Sequence, residues 1–166
     1  MVDLKIIFSH TNRMKEIEYK YLVDKELWAK VKKSEPQLIV QGFLHSSVEK
    51  TVRVRIKGEK AFLTIKGKTI GISRSEFEYE VPVSDAEKIF DEFINQKIRK
   101  KRYEVKVGKH TWEVDEFEGQ LQGLVMAELE VESEDEQFNL PNWVTINVSE
   151  DERYYNAVLI EKGIPS

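Results

Sequence analysis

The sequence predicts a mainly β protein of the α+β type, an antiparallel sheet curved into a barrel with helices packed outside. Charged and apolar residues alternate in run after run between Glu16 and Glu132, the two-residue period of strands with unlike faces. The connections are mostly of hairpin length, as at Gly58-Glu59 and Gly108-Lys109. No repeat, linker or low-complexity stretch divides the chain, which reads as one domain. The count is about eight strands and three helices, and a barrel of that size holds one small ligand.

Residues 1–13 carry little pattern and read as an N-terminal extension, with Met14 as a natural start and the domain proper over 14–163. The first strand runs from Glu16 to Val23. Asp24 is the expected N-cap of a short helix, Lys25 to Lys33, with Leu27, Trp28 and Val31 on one side and Pro36 as its stop. Gln37 to Leu44 is apolar and β-rich, hence a strand. Thr51 to Lys57 sets Val52, Val54 and Ile56 against Arg53, Arg55 and Lys57, then turns at Gly58-Glu59 to pair with Ala61 to Lys66. Gly67 to Ile72 is a loop. Ser73 to Val81 reads as one strand, with Arg74, Glu76, Glu78 and Glu80 opposite Phe77, Tyr79 and Val81.

Pro82 ends that strand. Ser84 is the expected cap of the next helix, Glu87 completes a capping box, and Ile89, Phe90, Phe93 and Ile94 form the apolar face. Ile98 to Val107 is a strand with Lys100 and Arg102 on one side and Tyr103, Val105 and Val107 on the other. Gly108-Lys109 leads into His110 to Phe117. Glu118 to Gly123 is a loop, and Leu124 to Glu132 is the last long strand. Pro141 and Trp143 fall in an irregular segment. Glu152 to Lys162 closes the chain as a helix with Tyr155, Val158 and Leu159 on one side.

Bulk properties narrow the function. The chain has 166 residues, 34% of them charged, with a net charge of only −4. A protein that lives by non-specific nucleic-acid binding leans basic, so that class is disfavoured. The absence of cysteine removes disulfides, thiolate nucleophiles and zinc–thiolate sites, and it fits a reducing compartment. No apolar run approaches the roughly 20 residues of a membrane span. Met1 to His10 lacks the pattern of a secretory signal, so cytoplasmic is the expected location.

The chemistry starts from Glu16-Ile17-Glu18-Tyr19-Lys20. As a strand, it sets Glu16, Glu18 and Lys20 on one face at about 7 Å spacing. Two such carboxylates can converge on a hard divalent cation, and the ammonium beside them can hold a phosphate. The arrangement recurs: one face gathers Glu16, Glu18, Lys20, Arg53, Arg55, Lys66, Arg74, Glu76, Glu78, Lys100, Arg102, Asp115, Glu128 and Glu130. With the apolar face inside, this is an ordinary small barrel with ion pairs on its surface. With the charged face inside, it is a polar tunnel. Three features favour the tunnel. Arginine dominates the middle strands, and its planar fork suits phosphate oxygens. The charged faces carry little Thr, Ser or Gln. The helices have aromatic-rich stripes that need an apolar sheet face to cover.

Glu16-Ile17-Glu18-Tyr19-Lys20 resembles the Glu-x-Glu-x-Lys signature of the CYTH family, the triphosphate tunnel metalloenzymes. The resemblance continues through Gln41-Gly42-Phe43-Leu44, Arg53-Val54-Arg55, Leu63-Thr64-Ile65-Lys66, Ser73-Arg74-Ser75-Glu76-Phe77-Glu78, Lys100-Lys101-Arg102-Tyr103, Val114-Asp115-Glu116-Phe117, Ala127-Glu128-Leu129-Glu130 and Arg153-Tyr154-Tyr155-Asn156. It covers nearly everything after Met14. It implies an eight-stranded antiparallel closed β-barrel tunnel with the charges inside, and a metal-dependent triphosphatase acting on inorganic tripolyphosphate or a small organic triphosphate. By the same resemblance Lys20, Arg53, Arg55, Lys66, Arg74, Lys100 and Arg102 hold the triphosphate, and Glu16, Glu18, Asp115, Glu128 and Glu130 hold Mg2+ or Mn2+. Lys20, Glu16 and Glu18 are the catalytic set, while Glu76 and Glu78 orient the basic residues or serve a second metal. The partner it implies is a triphosphate-containing small molecule, with no nucleic acid or membrane and with room for a homodimer. A class IV adenylyl cyclase and a non-catalytic polyphosphate-binding module are the alternatives.

One departure is specific. Similar short bacterial members carry tyrosine where this chain has Phe43, so a tyrosine base there is excluded. Lys20 with a lowered pKa, or a metal-bound water, takes its place as the expected base. His10, His45 and His110 read as surface or turn residues, Arg99 and Lys101 as an exposed rim, and Trp28, Trp112 and Trp143 as packing. The acidic run Glu132, Glu134, Asp135 and Glu136 reads as solvated.

Overall fold

The structure is a computed structural model and describes residues 15–166. The expected extension over residues 1–13, Met14 as a start, and His10 lie outside the described residues. The strands are β1 (Glu16–Val23), β2 (Gln37–Ser46), β3 (Lys50–Lys57), β4 (Lys60–Gly67), β5 (Ser73–Arg74), β6 (Glu76–Val81), β7 (Ile98–Val107), β8 (His110–Phe117), β9 (Val125–Glu130) and β10 (Val144–Asn147). The helices are α1 (Lys25–Ala29), α2 (Val83–Phe93) and α3 (Asn156–Lys162).

The sheet is antiparallel throughout, in the order β10-β1-β9-β8-β7-β2-β3-β4-β6. This ladder does not close by itself. Its ends meet through β5, which pairs Arg74 with Glu16 and Ser73 with Ile17 of β1. The expected single strand from Ser73 to Val81 is therefore two. β6 pairs with β4 and β5 with β1, so the chain changes partner at Ser75 and the wall closes there. The second edge of β1 is shared, with β5 at its start and β10 at its end. β10 lies in the segment read as irregular and lacks an alternating run long enough to show in sequence.

Both hairpin turns place glycine in the left-handed region, Gly58 at φ 59 and Gly108 at φ 63, while Glu59 and Lys109 keep negative φ. A positive φ at the first turn residue alone is what a two-residue type II′ connection uses. Asp24 caps α1 as expected, its Oδ1 accepting from the Glu26 and Leu27 amides at 2.9 and 3.0 Å. The helix ends at Ala29, short of the expected Lys33. The expected capping box at α2 is absent: Pro82 is the cap and Ser84 sits inside the helix. Proline serves there because its fixed φ suits a helix start. The last helix splits into a short 3-10 turn, Glu152–Tyr154, and α3.

Apolar packing covers the outer wall. Trp28 of α1 joins Trp112, Trp143, Tyr21, Val114 and Leu129 in one cluster, with ring centroids 5.2–5.8 Å apart in Trp28–Trp143, Trp112–Trp143 and Tyr21–Trp112. The three tryptophans are packing residues, as expected. α2 covers Val54 and Ala61 with Ala86, Phe90 and Ile94, although Phe93 is turned to solvent. Beyond the reach of α2, Ile65 and Phe77 face each other across β4 and β6 and remain exposed.

α3 behaves differently. Its Leu159 and Ile160 pack with Ile98, Phe117 and Met126, and with Leu22 and Phe43 at the margin. Those residues lie opposite charged-face positions: Ile98 faces Gln41, Phe117 faces Lys100, Met126 faces Asp115 and Phe43 faces Arg53. Opposed residues share a sheet face. So α3 does not lie outside the barrel, as expected for all helices; it stops one end of the bore with an apolar plug.

Gly42 lies tightly against the segment that follows α2. A Cβ there would lie 2.4 Å from Ile94 Cγ2 and 3.3 Å from the Gln96 carbonyl. Gly42→Ala is expected to cost about 1–3 kcal/mol, read as a fall of several degrees in Tm by thermal denaturation.

Candidate functional site

Beyond the plug the bore opens into a cavity of about 810 Å³. Its wall is built from the alternating faces of the strands. β1 supplies Glu16, Glu18 and Lys20, β3 supplies Arg53 and Arg55, and Lys66 and Arg74 come from β4 and β5. Glu76 and Glu78 come from β6, Lys100 and Arg102 from β7, and Glu128 and Glu130 from β9. Every residue expected on the charged face except Asp115 lines this space. Asp115 is on the same inner face but is fully buried beneath Lys100 and Arg102.

The charges are paired in two groups. In the first, Lys66 Nζ donates to both oxygens of Glu16 at 2.8 Å and is paired with Glu76 at 2.8 Å; Arg74 Nε donates to Glu16 at 2.7 Å. Glu78 Oε2 accepts from Arg55 at 2.9 Å, from Thr64 at 2.8 Å and from Arg53 at 3.5 Å. In the second, Asp115 takes a two-pronged grip from Arg102 at 2.7 and 2.6 Å and a further bond from Lys100 at 2.5 Å. Arg102 also reaches Glu128 at 2.6 Å and Glu113. Lys20 donates to Glu18 and Glu128.

These pairings set the ionisation of the wall. Burial works against the carboxylates of Glu16, Asp115 and Glu128, but their basic partners outweigh it and hold all three below the ordinary carboxylate range. Burial also works against Lys20, yet the Glu128 and Glu18 carboxylates hold its ammonium above the ordinary value. The expectation of a lowered Lys20 is thus overturned. The lowered lysines are Lys66 and Lys100, where burial and neighbouring arginines outweigh Glu16 and Asp115.

Sequence reasoning missed several members. Glu113 lines the cavity and pairs with Arg102; its place two residues before Asp115 on β8 was a readable signal. Asn156, at the start of α3, reaches the cavity, and its Oδ1 is buried without a hydrogen-bond partner. His110 is not a plain turn residue: it lines the cavity mouth and lies 3.0 Å from Glu136. Glu132 and Glu136, read as solvated, also line the mouth, with Glu136 held by Lys109 at 2.8 Å. Arg99 and Lys101 are exposed and pair with Glu118, as expected for a rim.

A bore lined by interleaved arginine, lysine and glutamate, shut at one end and open at the other among the described residues, defines a β-tunnel with an ionic interior. The CYTH domain matches residues 14–158, and the chain belongs to that family. It is 42% identical over 149 residues to an inorganic triphosphatase of Acetivibrio thermocellus, covering 89% of this chain and 94% of that one. It is 34% identical over 154 residues to an inorganic triphosphatase of Nitrosomonas europaea, covering 88% and 97%. A solved structure of an inorganic triphosphatase superposes with a TM-score of 0.62 at 30% identity, over 91% of this chain and 97% of the other.

Removing one partner from a buried charge group leaves the others uncompensated. Asp115→Ala is expected to destabilise the protein by roughly 3–5 kcal/mol, measured by urea unfolding. The lowered carboxylates also predict acid sensitivity. The unfolded chain binds protons at Glu16, Asp115 and Glu128 more readily than the folded one. Their contribution is therefore full above about pH 5 and drains away as the pH falls below about 4. Glu76, raised mainly by burial, works in the opposite sense but is a single group. Thermal melts between pH 7 and pH 3 should show the loss.

Proposed function

We propose that this chain is a metal-dependent triphosphatase that cleaves inorganic tripolyphosphate inside the bore. The observation that carries the reading is the chemistry of the wall. Lys20, Arg53, Arg55, Lys66, Arg74, Lys100 and Arg102 converge on one space, and among the described residues no phenylalanine, tyrosine or tryptophan lines it. A bare phosphate chain meets basic donors interleaved with glutamates, whereas a nucleobase finds a ring only at the mouth, the imidazole of His110. The names of the two curated relatives support the same substrate.

The donor set fits a hard divalent cation. Glu18 lies opposite Glu130, and Glu113 lies opposite both Glu104 and Glu128. Like charges at opposed positions repel, and Mg2+ and Mn2+ take carboxylate oxygens. As they stand, no three acidic side chains among the described residues are gathered closely enough to hold an ion; lysine and arginine occupy them instead. Of the five expected ligands, Glu18, Glu128 and Glu130 suit the ion best. All three line the cavity and, unlike Glu16 and Asp115, oppose another acid across the strands, Glu18 with Glu130 and Glu128 with Glu113; Glu18 and Glu128 would exchange Lys20 and Arg102 for the ion. Glu18, Glu128 and Glu130 would hold a cation whose charge offsets that developing on the leaving group.

The chain's own residues do the rest by position and charge. Phosphate oxygens take over donors that the carboxylates hold in the free protein. Asp115 turns Arg102 toward the bore, and Glu76 and Glu78 orient Lys66, Arg53 and Arg55. Lys20, kept as an ammonium, stabilises charge on the phosphoryl oxygens rather than acting as a base. No side chain is needed as a nucleophile. Phe43 sits in the plug and brings no hydroxyl to the site. The working domain is 14–163, since α3 runs to Lys162 and supplies the plug. Cytoplasmic action fits the cysteine-free sequence. No helix of the described residues is long and apolar enough to cross a membrane.

Phosphate release from tripolyphosphate, ATP and thiamine triphosphate, each with Mg2+, Mn2+ or EDTA, tests the reading. Turnover of tripolyphosphate only with metal is expected. Cyclic AMP from ATP would instead identify a cyclase, and saturable binding without turnover a binding module. Glu130→Gln and Glu16→Gln should each lower kcat by about 100-fold or more with circular dichroism unchanged. Arg55→Ala should raise KM by about tenfold or more and spare kcat.

A further inference from the structure

Gln41 is the one side chain among the described residues with two buried polar atoms that both lack a hydrogen-bond partner. It is 0% exposed, and neither its Oε1 nor its Nε2 has a hydrogen-bond partner. Buried amides of this kind are uncommon, and one in a closed wall calls for a reason. Its register supplies one. Gln41 lies directly opposite Arg55 across β2 and β3, and opposite the apolar Ile98 across β2 and β7. Opposed side chains share a face with their Cβ atoms about 5 Å apart. Arg55 Nε is likewise buried and without a partner, while Arg55 Nη2 is held by Glu78 at 2.9 Å. Arginine Nε and glutamine Oε1 stand equally far along their side chains from Cβ. Two such side chains running side by side therefore bring a donor next to an acceptor. Arg53 Nε is also buried and without a partner, but Phe43 is opposite it on β2, so only Arg55 has an acceptor at that register.

We propose that Gln41 is a positioning residue for Arg55. When a phosphate chain draws the Arg55 guanidinium off Glu78, Gln41 Oε1 accepts the Arg55 Nε–H. That bond fixes the plane of the guanidinium and presents its two terminal nitrogens to phosphate as a fork. Gln41 does not line the cavity and touches no substrate. In the free protein its amide makes no hydrogen bond to another protein group. The inference rests on the reading of the cavity as a triphosphate site.

Gln41→Met, close in shape and apolar, separates the two effects. Tm should rise by about 2–4 °C, because the orphan amide is gone. KM for tripolyphosphate should rise about tenfold, the size of a lost hydrogen bond to a charged group, with kcat within about twofold. In an Arg55→Lys background, which has no Nε–H, Gln41→Met should add nothing further to KM. An unchanged KM, or an equal rise in both backgrounds, overturns the proposal. On the wild-type chain, the Arg55 Nε–H signal, assigned by its loss in Arg55→Lys, should exchange more slowly with water once tripolyphosphate is added without metal. Unchanged exchange of that signal overturns the proposal even where Gln41→Met does not fold. Absence of turnover together with absence of any arginine shift defeats the triphosphate reading as well. Normal turnover with KM indifferent to Gln41→Met defeats only the role of Gln41.

Discussion

Everything in this structure depends on compensating charge that has been taken out of water. Lys100, Arg102, Asp115 and Glu128 are all buried within one wall of the bore. An isolated ion in such a place would neutralise or unfold its surroundings. Here each charge meets partners of opposite sign, and the pairing runs round the wall in two groups. Pairs of this kind add little net stability, because desolvation absorbs most of the attraction. They make a polar interior tolerable, and the apolar outer clusters supply the folding energy.

The same pairing prepares the site. In the free protein, carboxylates occupy the donors that a phosphate chain would use. Glu16 holds Lys66 and Arg74, and Glu78 holds Arg53 and Arg55. The donors are thereby ordered and aimed before any ligand arrives, so less freedom is lost on binding. The shape adds a second constraint. α3 shuts one end with Leu159 and Ile160, and among the described residues the cavity opens at the end lined by His110, Lys109, Glu132 and Glu136. The wall near the plug is apolar, and the charged layer lies between plug and mouth.

Much of this was legible from residue order alone. The alternation in Thr51 to Lys57 and Ile98 to Val107 placed Arg53, Arg55, Lys100 and Arg102 on one face, and the register confirms it. Asp24 was readable as a cap because its side chain needs only amides two and three residues away. Several of the misses share a cause, since they depend on something distant in sequence. The break at Ser75 exists because β4 and β1 compete for one segment. β10 forms because β1 has a free edge for it. His110 and Glu136 meet at the mouth although 26 residues separate them. Lys20 keeps its proton because Glu128, from β9, stands beside it.

The sequence by itself determined which side chains share a face, because a strand's period of two is a local property of the backbone. It determined that one face is ionic and the other apolar, and through its motifs it pointed to the CYTH family. Only the tertiary structure decided which carboxylate holds which arginine, that Asp115 is buried beneath Lys100 and Arg102, and that α3 is a plug rather than a cover. Those outcomes depend on curvature and closure, which bring β1, β5 and β9 together across gaps of more than fifty residues. Local propensity carries no record of which distant strand will become a neighbour.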